Sequence, residues 1–212
     1  MEFRLLGPIE ARDGDRILVS GTGKAVALLA LLLLRSNEVI STDRLIDDLW
    51  TERAPRTAAK SLQTYVSQLR RALGDDAIVT RPRGYLLPVG RDALDSARFE
   101  QLVEVGRGAL ERGDAAAAAA VLRDALALWR GAALGEVAHE TWARPYAERL
   151  EEERLQALET RIAADLALGR HREVVGEVEG LVREHPLREH LLSLLMVALY
   201  RCGRQTDALE AY

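Results

Sequence analysis

The sequence predicts a mainly α-helical chain in two parts. Residues 1–92 read as an α+β winged helix-turn-helix, and residues 93–212 as an all-helical, tetratricopeptide-like domain. Three observations carry this. Between Thr57 and Leu87 an amphipathic helix pattern runs straight into a basic hairpin pattern. From Asp95 onward the patterns are helical throughout, broken at Gly113-Asp114, Gly131 to Gly135, Gly169-Arg170, His185-Pro186 and Gly203-Arg204. Gly169 and Gly203 stand 34 residues apart, the tetratricopeptide period.

Taken in order, Phe3 to Leu6 and Ile17 to Val19 read as short strands around a turn at Asp13-Gly14-Asp15. Lys24 to Arg35 is a helix apolar nearly all round, hence buried. Val39-Ile40 is extended. Ser41 or Thr42 caps a helix with Asp43 in its first turn and Leu45, Ile46, Leu49 and Trp50 on its inner face. Pro55 opens the next helix, residues 56–73, because its missing N–H costs nothing there. Gly74 ends it. Ile78 to Pro88 forms the hairpin, with Gly84 allowing its tight turn. The domain boundary falls near Gly90 to Asp95.

The helical half repeats itself. L-A-L-G-R-H-R-E-V-V at 166–175 resembles L-Y-R-C-G-R-Q-T-D-A-L at 199–209, and L-E-R-G-D-A-A-A at 110–117 reads as an earlier copy. Gly113 precedes Gly169 by 56 residues, 22 more than one period, which leaves room for an extra helix at 137–157. The sequence stops at Tyr212, inside the expected second helix of the last repeat. The helical domain therefore reads as truncated, because a terminal repeat needs a cap over its apolar face.

Composition narrows the function classes. Hydrophobic residues make up 48% of 212, which excludes a disordered chain. The longest apolar run, Ala25 to Leu34, is far short of the ~18 residues of a membrane span. The start, M-E-F-R-L-L-G-P, lacks the features of a signal peptide. Cys202 is the one cysteine, so no internal disulfide forms and a cytoplasmic location is expected. The net charge of −4 hides an asymmetry. Residues 1–91 carry 14 basic and 11 acidic residues, a net of +3, against 15 and 22, a net of −7, in the rest. Residues 53–83 carry seven basic and two acidic residues, a net of +5, and no acid occurs from 53 to 74. Phosphates respond to that local field rather than to the total.

Stepping about 100° per residue from Leu62 brings Val66, Leu69 and Leu73 onto one face, with Ala58 and Ala59 beside them. The opposite face collects Arg56, Lys60, Thr64, Ser67 and Arg71, with Gln63 on its flank. These residue types suit a DNA groove. Arg pairs with both acceptors of guanine, Gln with adenine, and Thr offers a methyl for thymine. Arg56, Lys60 and Thr64 lie nearest the expected point of entry, and Arg71 suits a phosphate. Arg81 and Arg83 flank Pro82 at the hairpin tip, placed for an adjacent minor groove or its phosphates. A solvated helix face is the plain alternative, but such faces mix charge signs.

Other motifs fail. G-T-G-K at 21–24 lacks the Ser or Thr after the Lys and the upstream Gly of a phosphate loop; Ala25 and Leu18 stand there. It reads as a helix start, with Lys24 as a candidate phosphate contact. His139-Glu140 is no zinc-protease motif, since position 143 is Ala. His171, His185 and His190 lack ligand partners at metal spacing. No nucleophile, base and orienting group assemble, so neither an enzyme nor a cofactor is expected.

Several segments in order resemble the Streptomyces antibiotic regulatory protein (SARP) family. They are M-E-F-R-L-L-G-P-I-E, G-K-A-V-A-L-L-A-L-L-L-L, S-T-D-R-L-I-D-D-L-W, L-Q-T-Y-V-S-Q-L-R-R-A-L, R-P-R-G-Y-L-L, A-L-A-L-W-R-G and L-A-L-G-R-H-R-E. The resemblance runs over almost the whole chain. It implies an OmpR-type winged helix joined to a bacterial transcriptional activation domain of tetratricopeptide type. It implies binding of double-stranded DNA with direct repeats near the −35 element, recruitment of RNA polymerase, and control of secondary-metabolite genes by protomers placed side by side. It also implies sigma-factor and polymerase contacts through the loop Thr51-Glu52-Arg53-Ala54-Pro55. The sequence contains no receiver domain, ATPase or forkhead-associated domain. Two other readings compete: a tetratricopeptide-type interaction scaffold, and a ligand-gated repressor.

Overall fold

The computed structural model describes residues 1–50 and 54–211. They group into two compact units. The first comprises Met1–Arg98 and Leu128–Glu152, the second Phe99–Ala127 and Glu153–Tyr212. Residues 93–98 and 128–152 fall in the first unit.

In the first unit, β1 (Glu2–Arg4), β2 (Glu10–Asp13) and β3 (Arg16–Val19) form an antiparallel sheet in that order. The turn at Gly14, φ 55°, joins β2 to β3, so the hairpin partner of β3 is β2 rather than the Phe3 strand. Leu5 and Leu6 lie beyond β1, although the pattern extends the strand through them. Their N–H groups donate instead to the Asp95 carboxylate, at 2.7 and 3.1 Å. Arg130 N–H donates to Leu6 O at 2.8 Å and Leu134 N–H to Leu5 O at 2.8 Å. These bonds tie residues 130–134 to the N-terminal strand region.

Helix α1 (Lys24–Leu34) buries every residue from Val26 to Leu33, as its all-apolar sequence demands. Strand β4 (Ile40–Ser41) leads into α2 (Thr42–Leu49), where Ser41 accepts from Arg44 N–H at 3.2 Å as N-cap. Next come α3 (Ala58–Leu73), β5 (Val79–Arg81) and β6 (Gly84–Leu86). The second sheet has the order β4-β6-β5. Helices α1, α2 and α3 pack on one another, and α3 also meets β3. This is a winged helix-turn-helix.

The remaining helices are α4 (Asp95–Glu111), α5 (Ala115–Leu126), α6 (Arg144–Ala167), α7 (His171–Glu184), α8 (Glu189–Arg201) and α9 (Gln205–Glu210). The helix expected at 137–157 starts later, at Arg144. Leu134 (φ 61°) and Gly135 (φ 49°) force a left-handed bend, and Gly135–His139 then forms a single 3-10 turn. Gly135 must be glycine twice over, because a Cβ there would lie 2.9 Å from Pro8 Cα.

The three repeat glycines share one backbone geometry. Gly113, Gly169 and Gly203 have φ of 81°, 78° and 78°. Each donates its N–H three residues back, to Leu110, Leu166 and Tyr200. Each following residue donates five back: Asp114 to Ala109, Arg170 to Asp165 and Arg204 to Leu199, at 2.9, 2.9 and 3.0 Å. Three Schellman motifs thus end the first helix of each pair. In the second unit Ile162, Leu166, Val174, Val178, Leu195 and Ala198 share one core. Ala109, Ala118, Ala119 and Ala164 form a second, small-residue core. There α4 and α5 approach closely, since a Cβ on Gly106 would meet Leu122 Cγ at 2.6 Å.

Candidate nucleic-acid interface

Helix α3 buries Ala58, Leu62, Val66, Leu69 and Leu73. Ala59, expected beside them, is exposed. Lys60, Gln63, Thr64, Ser67 and Arg71 are all exposed, as is Gln68, which the face assignment omitted. Arg56 is exposed but lies off the helix. Ala58 N–H donates to Pro55 O at 2.9 Å, closing a turn through Arg56 and Thr57, so α3 begins two residues after Arg56. Thr51, Glu52 and Arg53, the expected polymerase and sigma contacts, lie outside the described residues.

Two hydroxyls on this face are already engaged. Thr64 Oγ1 donates to Lys60 O at 3.0 Å, and Ser67 Oγ donates to Gln63 O at 2.9 Å. Their protons serve the helix's own carbonyls. What they present outward is lone pairs and, from Thr64, a methyl group. Phosphate oxygens need donors, so the cations of this surface suit them better.

The wing is held by features the sequence reading missed. Arg70 Nε and Nη2 donate to Ile78 O at 2.9 and 2.5 Å, and Nη2 also donates to Thr80 Oγ1 at 2.7 Å. This guanidinium fastens the last turn of α3 to the first strand of the hairpin. Arg70 sits roughly 80° from Leu62 on the helical wheel, at the margin of the buried stripe. That position was the available signal. At the hairpin's far end Asn37, with φ 67°, donates Nδ2–H to Val89 O at 2.9 Å and accepts from Val89 N–H at 3.1 Å.

Arg81, the last residue of β5, and Arg83 are exposed on either side of Pro82, and Pro82-Arg83 is the two-residue connection to β6. Arg83 O accepts from Thr42 N–H at 3.0 Å, which anchors the tip to the start of α2. Gly84 is glycine for a different reason from the one expected. Its φ is not in the left-handed region, but a Cβ there would lie 1.9 Å from Ile40 O, where β4 crosses against β6. At the helix-turn-helix corner Trp50 stacks on Tyr65, with ring centroids 6.3 Å apart.

Charge sorts the candidates. Among the described residues, Arg56, Lys60, Arg71, Arg81 and Arg83 have no carboxylate within ion-pair distance. Lys24 is only half exposed and lies 3.5 Å from Glu140. Its charge already has a partner. The described residues hold no His, Cys, Asp or Glu group arranged for a metal ion, and no helix among them is long and apolar enough to cross a membrane.

Residues 15–87 match the C-terminal domain of transcriptional regulatory proteins, and residues 94–212 match the bacterial transcriptional activator domain. DnrI, a regulatory protein of Streptomyces peucetius, is 39% identical over 223 residues, which span all of this chain and 82% of DnrI. The chain belongs to the SARP family. Another member, the regulatory protein AfsR of Streptomyces griseus, is 42% identical, and the chain spans about a fifth of its length. The solved structure of Mycobacterium tuberculosis EmbR in complex with a low-affinity phosphopeptide matches the whole chain with a TM-score of 0.94 at 35% identity; the match covers 57% of EmbR. SARP-family proteins are transcriptional regulators.

Proposed function

We propose that this protein is a sequence-specific DNA-binding transcriptional activator. Residues 1–92 are its DNA-binding domain and residues 93–212 its activation domain. It binds direct repeats near promoter −35 elements and recruits RNA polymerase, with protomers side by side on tandem sites in the cytoplasm. Its targets are secondary-metabolite genes. Thr51, Glu52 and Arg53 form its contact with sigma factor and polymerase.

The observation that carries this reading is the surface of α3 and the wing. It is exposed, free of acids from residue 53 to 74, and bears cations without partners among the described residues. In the major groove Arg56, Lys60, Gln63 and Thr64 read bases, and Ser67 lies on the same face. Arg71, Arg81 and Arg83 take phosphates or the neighbouring minor groove.

The test is retention of genomic fragments by the purified protein at two salt concentrations. Enrichment of direct repeats one helical turn apart, upstream of biosynthetic genes, is the expected result. Retention without sequence preference that vanishes at higher salt would overturn it. A second reading, a scaffold for protein partners, draws on the second unit, where Leu187 is 96% and Leu209 75% exposed. The same retention experiment decides between them.

A further inference from the structure

The first unit holds a cavity of about 430 Å³ away from the α3 surface. Small-molecule sites span roughly 300–1,000 Å³. Helix α1 and its C-cap supply Leu34 and Arg35, α2 supplies Arg44 and Asp48, the chain entering α6 supplies Trp142, and the first turn of α6 supplies Tyr146.

The charges do not cancel. Arg44 Nε donates to Asp48 at 2.9 Å, and that pair is internally balanced. Arg35 Nε donates to the Tyr146 hydroxyl at 3.3 Å. Among the described residues Arg35 has no carboxylate within ion-pair distance; Asp48 and Glu38 act on its charge only from farther off, and with Arg44 and Asp48 paired the lining carries one excess positive charge. Trp142, 9% exposed, also lines the cavity.

We propose that this cavity binds a small organic anion, a carboxylate on a flat apolar body. The carboxylate pairs with the free Nη groups of Arg35, a charge-assisted contact. The body lies against Leu34 and the Tyr146 ring. Trp142 borders the same space. The site also reaches the DNA-reading helix. Asp48 is two residues before Trp50, and Trp50 stacks on Tyr65 of α3. Arg44 and Asp48 of α2 line the same cavity, so a ligand there lies beside the element that seats α3. This coupling rests on the DNA-binding reading above; the binding itself does not.

The test uses the full 212-residue chain and three probes: naphthalene-2-carboxylate, its neutral carboxamide, and 2-naphthylmethylamine. The indole N–H signals of the three tryptophans are followed by NMR, with Trp142 assigned through Trp142→Phe. The carboxylate is expected to shift the Trp142 signal saturably and to bind at least ~10-fold more tightly than the amide, the scale of one charge-assisted hydrogen bond. The amine is expected not to bind. Arg35→Gln should weaken the carboxylate by about the same factor. Leu34→Trp, which fills the cavity, should abolish binding while the other signals stay dispersed. Equal binding of the three probes, an unmoved Trp142 signal, or undiminished binding in either variant overturns the proposal. DNA affinity at saturating probe is read separately, so failure of the DNA-binding reading leaves the cavity result standing.

Discussion

Arginine does opposite work in two regions of this protein. In the turn before α3, on α3 and on the wing, Arg56, Arg71, Arg81 and Arg83 stand in solvent without partners among the described residues. In the second unit, Arg123, Arg161 and Arg170 converge on Asp165, which is 1% exposed, and Arg188 grips Glu159 with two bonds of 2.7 and 3.2 Å. Arg161 also bonds Glu177. The acids decide the difference. Where carboxylates are interleaved with arginines, charge is spent inside the fold. Where they are excluded, it remains available to a partner.

The largest expected effect tests the inward-facing arginines. Asp165→Asn leaves three guanidiniums around a neutral group and should cost about 3 kcal/mol or more, read by chemical denaturation. Its pH dependence has a definite sign. Burial works against the Asp165 charge, but the hydrogen bonds from Arg123, Arg170 and Arg161 outweigh it and hold the carboxyl below its usual 3.8. A depressed folded-state value stabilises above 3.8 and loses that contribution as pH falls through the lower value. The gap between wild type and Asp165→Asn should therefore narrow below pH 3.8. A constant gap would count against the ion-pair explanation.

Asp95 makes the opposite case. Burial raises its carboxyl above 3.8, ahead of the N–H bonds from Leu5 and Leu6 and the nearby Arg130 charge. A raised folded-state value favours the fold at low pH, and that contribution is lost as pH rises through it. Asp95→Asn leaves one of the two strand N–H groups without an acceptor. The expected loss is about 1–3 kcal/mol by urea titration.

Gly84→Ala should displace the wing, because its Cβ meets backbone that cannot swing aside. A cost of about 1–3 kcal/mol is expected. Amide exchange should accelerate at Arg83 to Leu86, with α7 and α8 unchanged. Uniform loss of protection across the chain would contradict a local clash.

The smallest effects on stability belong to the outward-facing arginines. Arg71→Ala and Arg81→Ala should shift folding by less than about 0.5 kcal/mol. Each should nevertheless lower the salt slope of DNA affinity by about 0.9, one phosphate contact apiece. Arg56→Ala should cost about 1–3 kcal/mol of binding and relax one base position. If Arg56→Ala and Arg71→Ala leave affinity untouched, the assigned surface is wrong.

Periodic features were legible in the sequence, and chance meetings were not. The buried stripe Leu62, Val66, Leu69 and Leu73 follows from a 100° step, and the three helix-ending glycines follow from recurrent spacing. Pro55 looks like a first-turn residue and so predicts Arg56 on the helix, whereas a reverse turn intervenes. Asp95 caps a strand region about ninety residues away, and Gly84 answers to Ile40. Neither partner is marked by local pattern, because each is set by where distant backbone arrives.

The Arg70 clamp bears on what kinds of operator this protein accepts. On the DNA-binding reading proposed above, a guanidinium bridging helix and hairpin makes the distance between major-groove and flanking contacts a property of the protein rather than of the DNA. Inserting a single base pair between those contacts would then put them out of step.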